Sequence, residues 1–214
     1  MIGMHQKYIE QNIELIENDE WEEFFQHGPN GLGEVLLQAG IDFMLPLKRV
    51  PSRSFAKSNV TYVNIPEGVE IIDHIAFNEA VNLKSITIPN SIVKIGNDAF
   101  SHCRSLEHIE LPNSVTEVGQ RAFAYCHSLT SVVLSDGLTF IHKGTFFDCS
   151  NLKHINIPAT VTYIDKDAFS FIEQLEINYN GTTQEWKKLV SRRIQYIFNN
   201  TKYICKCTDG VVKR

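Results

Sequence analysis

Cysteine and histidine are the side chains in this sequence best able to do chemistry, and their spacing is regular. Cys103, Cys126 and Cys149 recur at one constant interval. In a fold that stacks like positions, such thiols would lie one above another, as a metal or redox site requires. Ala80 and Ile172 hold the same register, so the column accepts any small or apolar side chain and reads as core. Cys205 and Cys207 share one strand face, yet no second pair at zinc-site spacing would complete four ligands. Of the eight histidines, His108 and His154 fall in one column with Ser131 between them. Two strand spacings, roughly 10 Å, are too far for one metal ion. G-x-S-x-G, H-E-x-x-H and G-x-x-x-x-G-K-[ST] are missing from the sequence. Gly28-Pro29-Asn30-Gly31-Leu32-Gly33 lacks the strand and the lysine of a phosphate loop. No catalytic residue, metal or cofactor is expected, and the chain reads as a non-enzyme.

The elements that position these residues follow from an internal period. Phe77, Phe100, Phe123, Phe146 and Phe169 are 23 apart, and so are Leu83, Leu106, Leu129, Leu152 and Leu175. Ile72, Ile95, Val118, Ile141 and Ile164 make a third column, and Ile65, Ile88, Leu111, Leu134 and Ile157 a fourth. Pro66, Pro89, Pro112 and Pro158 follow the fourth column, with Ser135 substituting once. A worn copy precedes them, in which Val50, Phe55, Val60, Val63 and Ile65 match Ile72, Phe77, Leu83, Ile86 and Ile88. The unit is L-x-x-I-x-I-P-x-x-V-x-x-I-x-x-x-A-F-x-x-C-x-x, as in Leu106 to Ser128. Its L-x-x-I-x-I part alternates and is β-branched, so it predicts a strand, which proline ends by withdrawing a backbone donor. V-x-x-I predicts a second short strand, and A-F-x-x-C a tight turn. One such turn cannot bury its own apolar side, whereas stacked turns form a continuous core and a parallel sheet.

This spacing resembles the BspA-like leucine-rich-repeat family over about residues 50–179. The resemblance implies a leucine-rich-repeat solenoid, a β-rich α/β fold with a parallel sheet along one face. It also implies surface adhesion and contact with host proteins. Residues 49–179 are read as five to six leucine-rich repeats of this period, residues 1–48 as a helical N-terminal cap and residues 180–214 as a C-terminal cap of helix plus strand or hairpin. In the first cap, Tyr8, Ile9, Ile13 and Ile16 have helical spacing, Trp21, Phe24 and Phe25 continue in a second helix, and Leu32, Val35, Leu36 and Ala39 make a third. In the second, Thr182 and Glu185 are placed as a capping box with Trp186 as lid. Ile194 to Phe198 and Thr201 to Cys207, with a turn at Thr208-Asp209-Gly210, suggest a strand or hairpin closing the array.

The net charge of −5 is unevenly spread, with seven acids against Lys7 in residues 1–27 and eight bases against Asp209 in residues 187–214. Opposite ends of opposite charge admit end-to-end self-association, or an acidic partner at the basic end. No run reaches the roughly 18 apolar residues of a membrane span, and the N-terminus lacks a signal-peptide pattern. Five cysteines, an odd number, suit reduced thiols. A cytoplasmic address is therefore expected, with a secreted or cell-surface protein as the alternative if a signal precedes this sequence.

Alternation assigns one face of the sheet to Tyr62, Asn64, Ser85, Thr87, His108, Glu110, Ser131, Val133, His154 and Asn156. That small, polar and partly aromatic mixture suits a protein partner and argues against nucleic acid. A second candidate patch gathers Phe140 and Tyr163 with Tyr125, Phe147 and Phe171, since exposed aromatics mark contact surfaces. The expected function is a non-enzymatic protein-binding module, an adaptor or inhibitor using the sheet face. An adhesin contacting host proteins is the alternative.

Overall fold

The computed structural model describes residues 48–191 and 194–214, with the isolated positions 7 and 11. The expected helical N-terminal cap lies outside the described residues. Each turn of the array contributes a short strand to one wall. In chain order these strands are β2 (Tyr62–Asn64), β4 (Ser85–Thr87), β6 (His108–Glu110), β8 (Ser131–Val133), β10 (His154–Ile157), β12 (Gln174–Tyr179) and β13 (Lys202–Cys207). All pair in parallel, β2 with β4 and β6 through β13 in sequence, until β14 (Gly210–Lys213) turns back antiparallel on β13. The V-x-x-I segments form a second, narrow wall of two-residue strands: β1 (Arg49–Val50), β3 (Ile71–Ile72), β5 (Lys94–Ile95), β7 (Glu117–Val118), β9 (Phe140–Ile141) and β11 (Tyr163–Ile164). β1 to β7 form one ladder, and β9 with β11 another.

The third wall is made of turns whose phenylalanines point inward. Phe55, Phe77, Phe100, Phe123, Phe146, Phe169 and Phe198 are fully buried and stack in one column. Successive centroids lie between 4.8 and 5.6 Å apart, with planes 1° to 15° from parallel. Carbon atoms touch at about 3.5–4.0 Å, so these separations mean rings slid past one another, the offset arrangement that their quadrupoles prefer.

Backbone groups in this wall are shared between turns by a strict alternation. Asp98, Phe100 and His102 donate their N–H groups to Gln120, Ala122 and Ala124 of the next turn at 2.8–2.9 Å. Ser101 and Cys103, between and beyond them, donate within their own turn to Asp98 and Phe100. To hold that geometry the residues two before and two after the phenylalanine take left-handed backbone, as at Ile75 (φ 52°), His102 (φ 63°), Tyr125 (φ 61°) and Phe171 (φ 63°). Side chains other than glycine resist this region, yet here the inter-turn hydrogen bonds overrule the local preference.

The last turn departs from the period. Phe198 follows Phe169 at a longer interval than the repeat allows, yet its ring continues the stack at 5.4 Å. The extra length holds a helix, α1 (Thr183–Val190), which packs against β11. Thr182 caps it: Glu185 N–H donates to Thr182 Oγ1 at 3.2 Å, and Thr182 N–H donates to Glu185 Oε2 at 2.7 Å. Trp186 is fully buried against Tyr179, Tyr203 and Phe198 and lids the core, as the sequence suggests. Ile194–Ile197, expected within a strand or hairpin, is instead a short helix, α2. Asp167 and Phe169 donate to the carbonyls of Tyr196 and Ile197, so this segment takes the place of a turn-wall segment and not of a strand. The expected hairpin is β13 and β14, turned at Thr208-Asp209.

Replacing Phe123 by Ala removes one ring from the middle of the stack and should lower unfolding free energy by about 3–5 kcal/mol in chemical denaturation. Thr182→Ala should cost about 1 kcal/mol at neutral pH. The bonds from Thr182 hold the Glu185 carboxyl below its usual range. A depressed folded value means stabilisation present above the unfolded pKa of about 4.3 and lost as pH falls through the folded one. The difference between wild type and Thr182→Ala should therefore shrink on acidification, as denaturant midpoints at neutral and acidic pH would show.

Candidate functional site

Parallel pairing in register carries each alternate side chain of one strand beside its counterpart on the next, so the outward residues form columns. Tyr62 pairs with Ser85 and Asn64 with Thr87. His108, Ser131 and His154 form one row, and Glu110, Val133 and Asn156 the next. Tyr62 is 66% exposed. Asn64, Ser85, Thr87, His108, Glu110 and His154 are exposed, while Ser131, Val133 and Asn156 are half-buried. His108 Nδ1 and Ser131 Oγ lie 2.7 Å apart, and Asn178 Nδ2 donates to Asn156 Oδ1 at 2.9 Å.

The face continues beyond the residues that the sequence period points to. His154 pairs with Glu176 and Asn156 with Asn178, one residue short of the repeat, because L-x-x-I at Leu152 is shortened to L-x-I at Leu175. A single-residue gap in the alignment of repeats would have found them. Lys206 Nζ donates to Glu176 Oε1 at 2.6 Å, and His154 Nδ1 lies 3.8 Å from the same oxygen. The lysine holds the Glu176 carboxyl below its ordinary range. The C-terminal half of the face is thus internally paired.

The aromatic candidates fall into two groups. Phe140 and Tyr163 stack at 4.4 Å on the narrow wall. Tyr125, Phe147 and Phe171 run down the turn wall in edge-to-face contacts of 5.4 and 5.1 Å, with His102 stacked on Tyr125 at 4.3 Å. Only Phe171 of these is exposed, at 43%, the others being half-buried.

Cys103, Cys126 and Cys149 are buried, and each thiol donates to the carbonyl of Phe77, Phe100 or Phe123 at 3.1–3.2 Å. Thr201 does the same in the last turn, donating from Oγ1 to Phe169 at 2.6 Å. The column therefore ties each turn to the one before. Burial pushes the three thiols up, which keeps them protonated and able to donate. Cys205 and Cys207 have sulfurs 3.7 Å apart, and burial raises both. Among the described residues no group of three or more His, Cys, Asp or Glu side chains is disposed to hold a metal ion. None of their helices is long and apolar enough to cross a membrane. Grooves of about 370, 420 and 490 Å³ lie along the face and its rim.

The family model described as BspA type Leucine rich repeat region matches residues 48–176 in 6 copies. The chain belongs to this family. No curated protein matches the BspA-type chain in sequence. Solved structures with the same fold include the T. pallidum leucine rich repeat protein TpLRR, 27% identical with a TM-score of 0.53, covering 72% of this chain and 68% of that one. The pneumococcal vaccine antigen PcpA is 21% identical with a TM-score of 0.57, covering 74% and 39%. A leucine-rich repeat protein from Eubacterium ventriosum is 23% identical with a TM-score of 0.54, covering 57% and 33%. The BspA-type chain thus spans a third to two thirds of the length of these relatives.

In the native protein only Cys207, the half-buried thiol, should react with a disulfide reagent at pH 8 on the minute scale, and all five cysteines should react in denaturant. Rapid native labelling of Cys103, Cys126 or Cys149 would show that the column is open.

Proposed function

We propose that this chain is a non-enzymatic protein-recognition module that presents the exposed face of its parallel sheet to a protein partner. The observation that carries the reading is the face itself: rows of outward small, polar and aromatic side chains on strands that pair in register with their neighbours everywhere along the face but between β4 and β6. A surface ordered before contact loses little entropy on docking, and mixed polar and aromatic composition without a basic stripe suits protein over nucleic acid. The three cysteines of the column donate core hydrogen bonds that tie turn to turn, which supports a packing role for them.

Two settings fit such a module, a cytoplasmic adaptor or inhibitor and a surface protein contacting host proteins. The pneumococcal relative is described as a vaccine antigen, and that description favours the second. The opposite charge of the two ends also supports end-to-end association, which light scattering would read as mass that falls with salt.

The test is affinity capture with the immobilised chain, from lysate of the source cells and separately from host extracellular proteins. A variant carrying Tyr62→Ala, His154→Ala and Asn156→Lys should lose the partner while keeping its circular dichroism and melting temperature. Equal capture by both proteins would remove the sheet face as the site. A partner found only among host proteins places the module outside the cell, and one found only in the lysate returns it to the cytoplasm.

A further inference from the structure

The main parallel sheet has one interruption among the described residues, and it lies between β4 and β6. Elsewhere the residue after each strand donates across to its neighbour: Ile65 to Thr87 at 3.2 Å, Leu111 to Val133 at 2.9 Å and Leu134 to Asn156 at 3.2 Å. The equivalent bond from Ile88 N–H to the Glu110 carbonyl is not formed, although Glu107 N–H still reaches Lys84 at 3.2 Å. The two strands therefore diverge from that bond onward.

Divergence uncovers apolar surface where the other turns hide it. Val63, Ile65, Ile109, Leu111, Val132 and Leu134 are at most 6% exposed, whereas their counterparts Ile86 and Ile88 are only half-buried. A groove of about 490 Å³ lies over this point, with Ile86 and Ile88 among its lining and Lys84, Glu107, His108 and Glu110 around them. A second groove, of about 420 Å³, shares Asn90, Glu110 and Pro112 with the first and carries the trough on to Asp136. The trough gathers three carboxylates of one kind. Glu70, Glu117 and Glu176 each pair with a lysine on a neighbouring turn. No ion pair or side-chain hydrogen bond engages the carboxylates of Glu107, Glu110 and Asp136 among the described residues, and Lys84 is the one lysine or arginine among the described residues that line the trough.

We infer that the opening between β4 and β6 is the anchoring cleft of the sheet face, taking an aliphatic side chain from an extended partner segment whose flanking lysine or arginine residues meet Glu107, Glu110 and Asp136. The inference rests on the protein-recognition reading above and names the chemistry of the partner. An aliphatic anchor covers Ile86 and Ile88 and so gains from burial. Unpaired carboxylates at the rim select the basic flank and steer its approach. An extended backbone fits because the cleft runs along strand edges whose ladder is open.

The experiment uses fluorescein-labelled octapeptides with the full chain, read by fluorescence anisotropy at low salt. One carries Leu-Val between Lys and Arg, a second replaces those bases by Glu, and a third replaces Leu-Val by Ser-Ser. The first should bind saturably, and the others at least about tenfold more weakly. Glu107→Lys with Glu110→Lys, both at exposed positions, should abolish the preference for the basic peptide, and Ile88→Ser should weaken the first peptide while leaving the third unchanged. Equal affinity for the three peptides, no saturable binding of the first, or an unchanged preference in the Glu107→Lys, Glu110→Lys variant would overturn the cleft. Those results leave the sheet-face reading standing if the Tyr62→Ala, His154→Ala, Asn156→Lys variant has lost its captured partner, and both readings fall together if it has not.

Discussion

Offset stacking of one phenylalanine on the next is the constraint on which this structure depends. A single turn buries almost nothing by itself. The rings from Phe55 to Phe198 become core only because each packs on the ring of the next turn, 4.8 Å away at the first step and 5.4 Å at the last. Every other regularity follows that spacing. Strands separated by the ring repeat are at ladder distance, so the sheet forms beside the stack. The carbonyl of each stacked phenylalanine from Phe77 to Phe123, and of Phe169, is met by a thiol or hydroxyl from the following turn, and ion pairs such as Arg121 with Asp98, at 2.8 Å, bridge the same interval on the surface. Because each contact joins adjacent turns only, stability accumulates along the array as a sum of neighbour terms.

Much of this was legible in the sequence, because stacking demands the same residue at the same place in each turn. The phenylalanine, leucine and proline columns state the period outright, and alternation in L-x-x-I-x-I sorts the strand residues to the core or the face. What escaped was whatever breaks the period or leaves composition untouched. Phe198 belongs to the stack but lies beyond the repeat interval from Phe169, and Glu176 and Asn178 extend the face one residue out of phase. Left-handed backbone at His102 and Tyr125 has no glycine to announce it, since the demand comes from inter-turn hydrogen bonds. The opening beside β4 is equally silent: Ile86 and Ile88 satisfy the repeat as well as Ile109 and Leu111 do. A pattern of residue types records which side chain belongs inside, not whether two strands stay within bonding distance.

The candidate site divides along the same line. Where face residues find partners on the next strand, as Lys206 and Glu176 do, their charge is satisfied within the molecule. Such groups are costly to redirect toward a ligand. Where they find none, as at Glu107, Glu110 and Asp136, the surface keeps an unspent electrostatic preference. Sequence order alone does not separate these classes, since all are polar residues at outward positions.

The length of the final turn has a further consequence. Between Phe169 and Phe198 the chain is longer than in any earlier turn, yet rings and strands stay in register on both sides of α1. The stack fixes where the chain must return, not how it travels between returns. The stretch after each strand is therefore an insertion point: a foreign loop or small helix grafted there in an interior turn, after Pro112 for example, would project from the array without disturbing its pitch. Solenoids of this kind can thus acquire new outgrowths one turn at a time while the scaffold beneath stays constant.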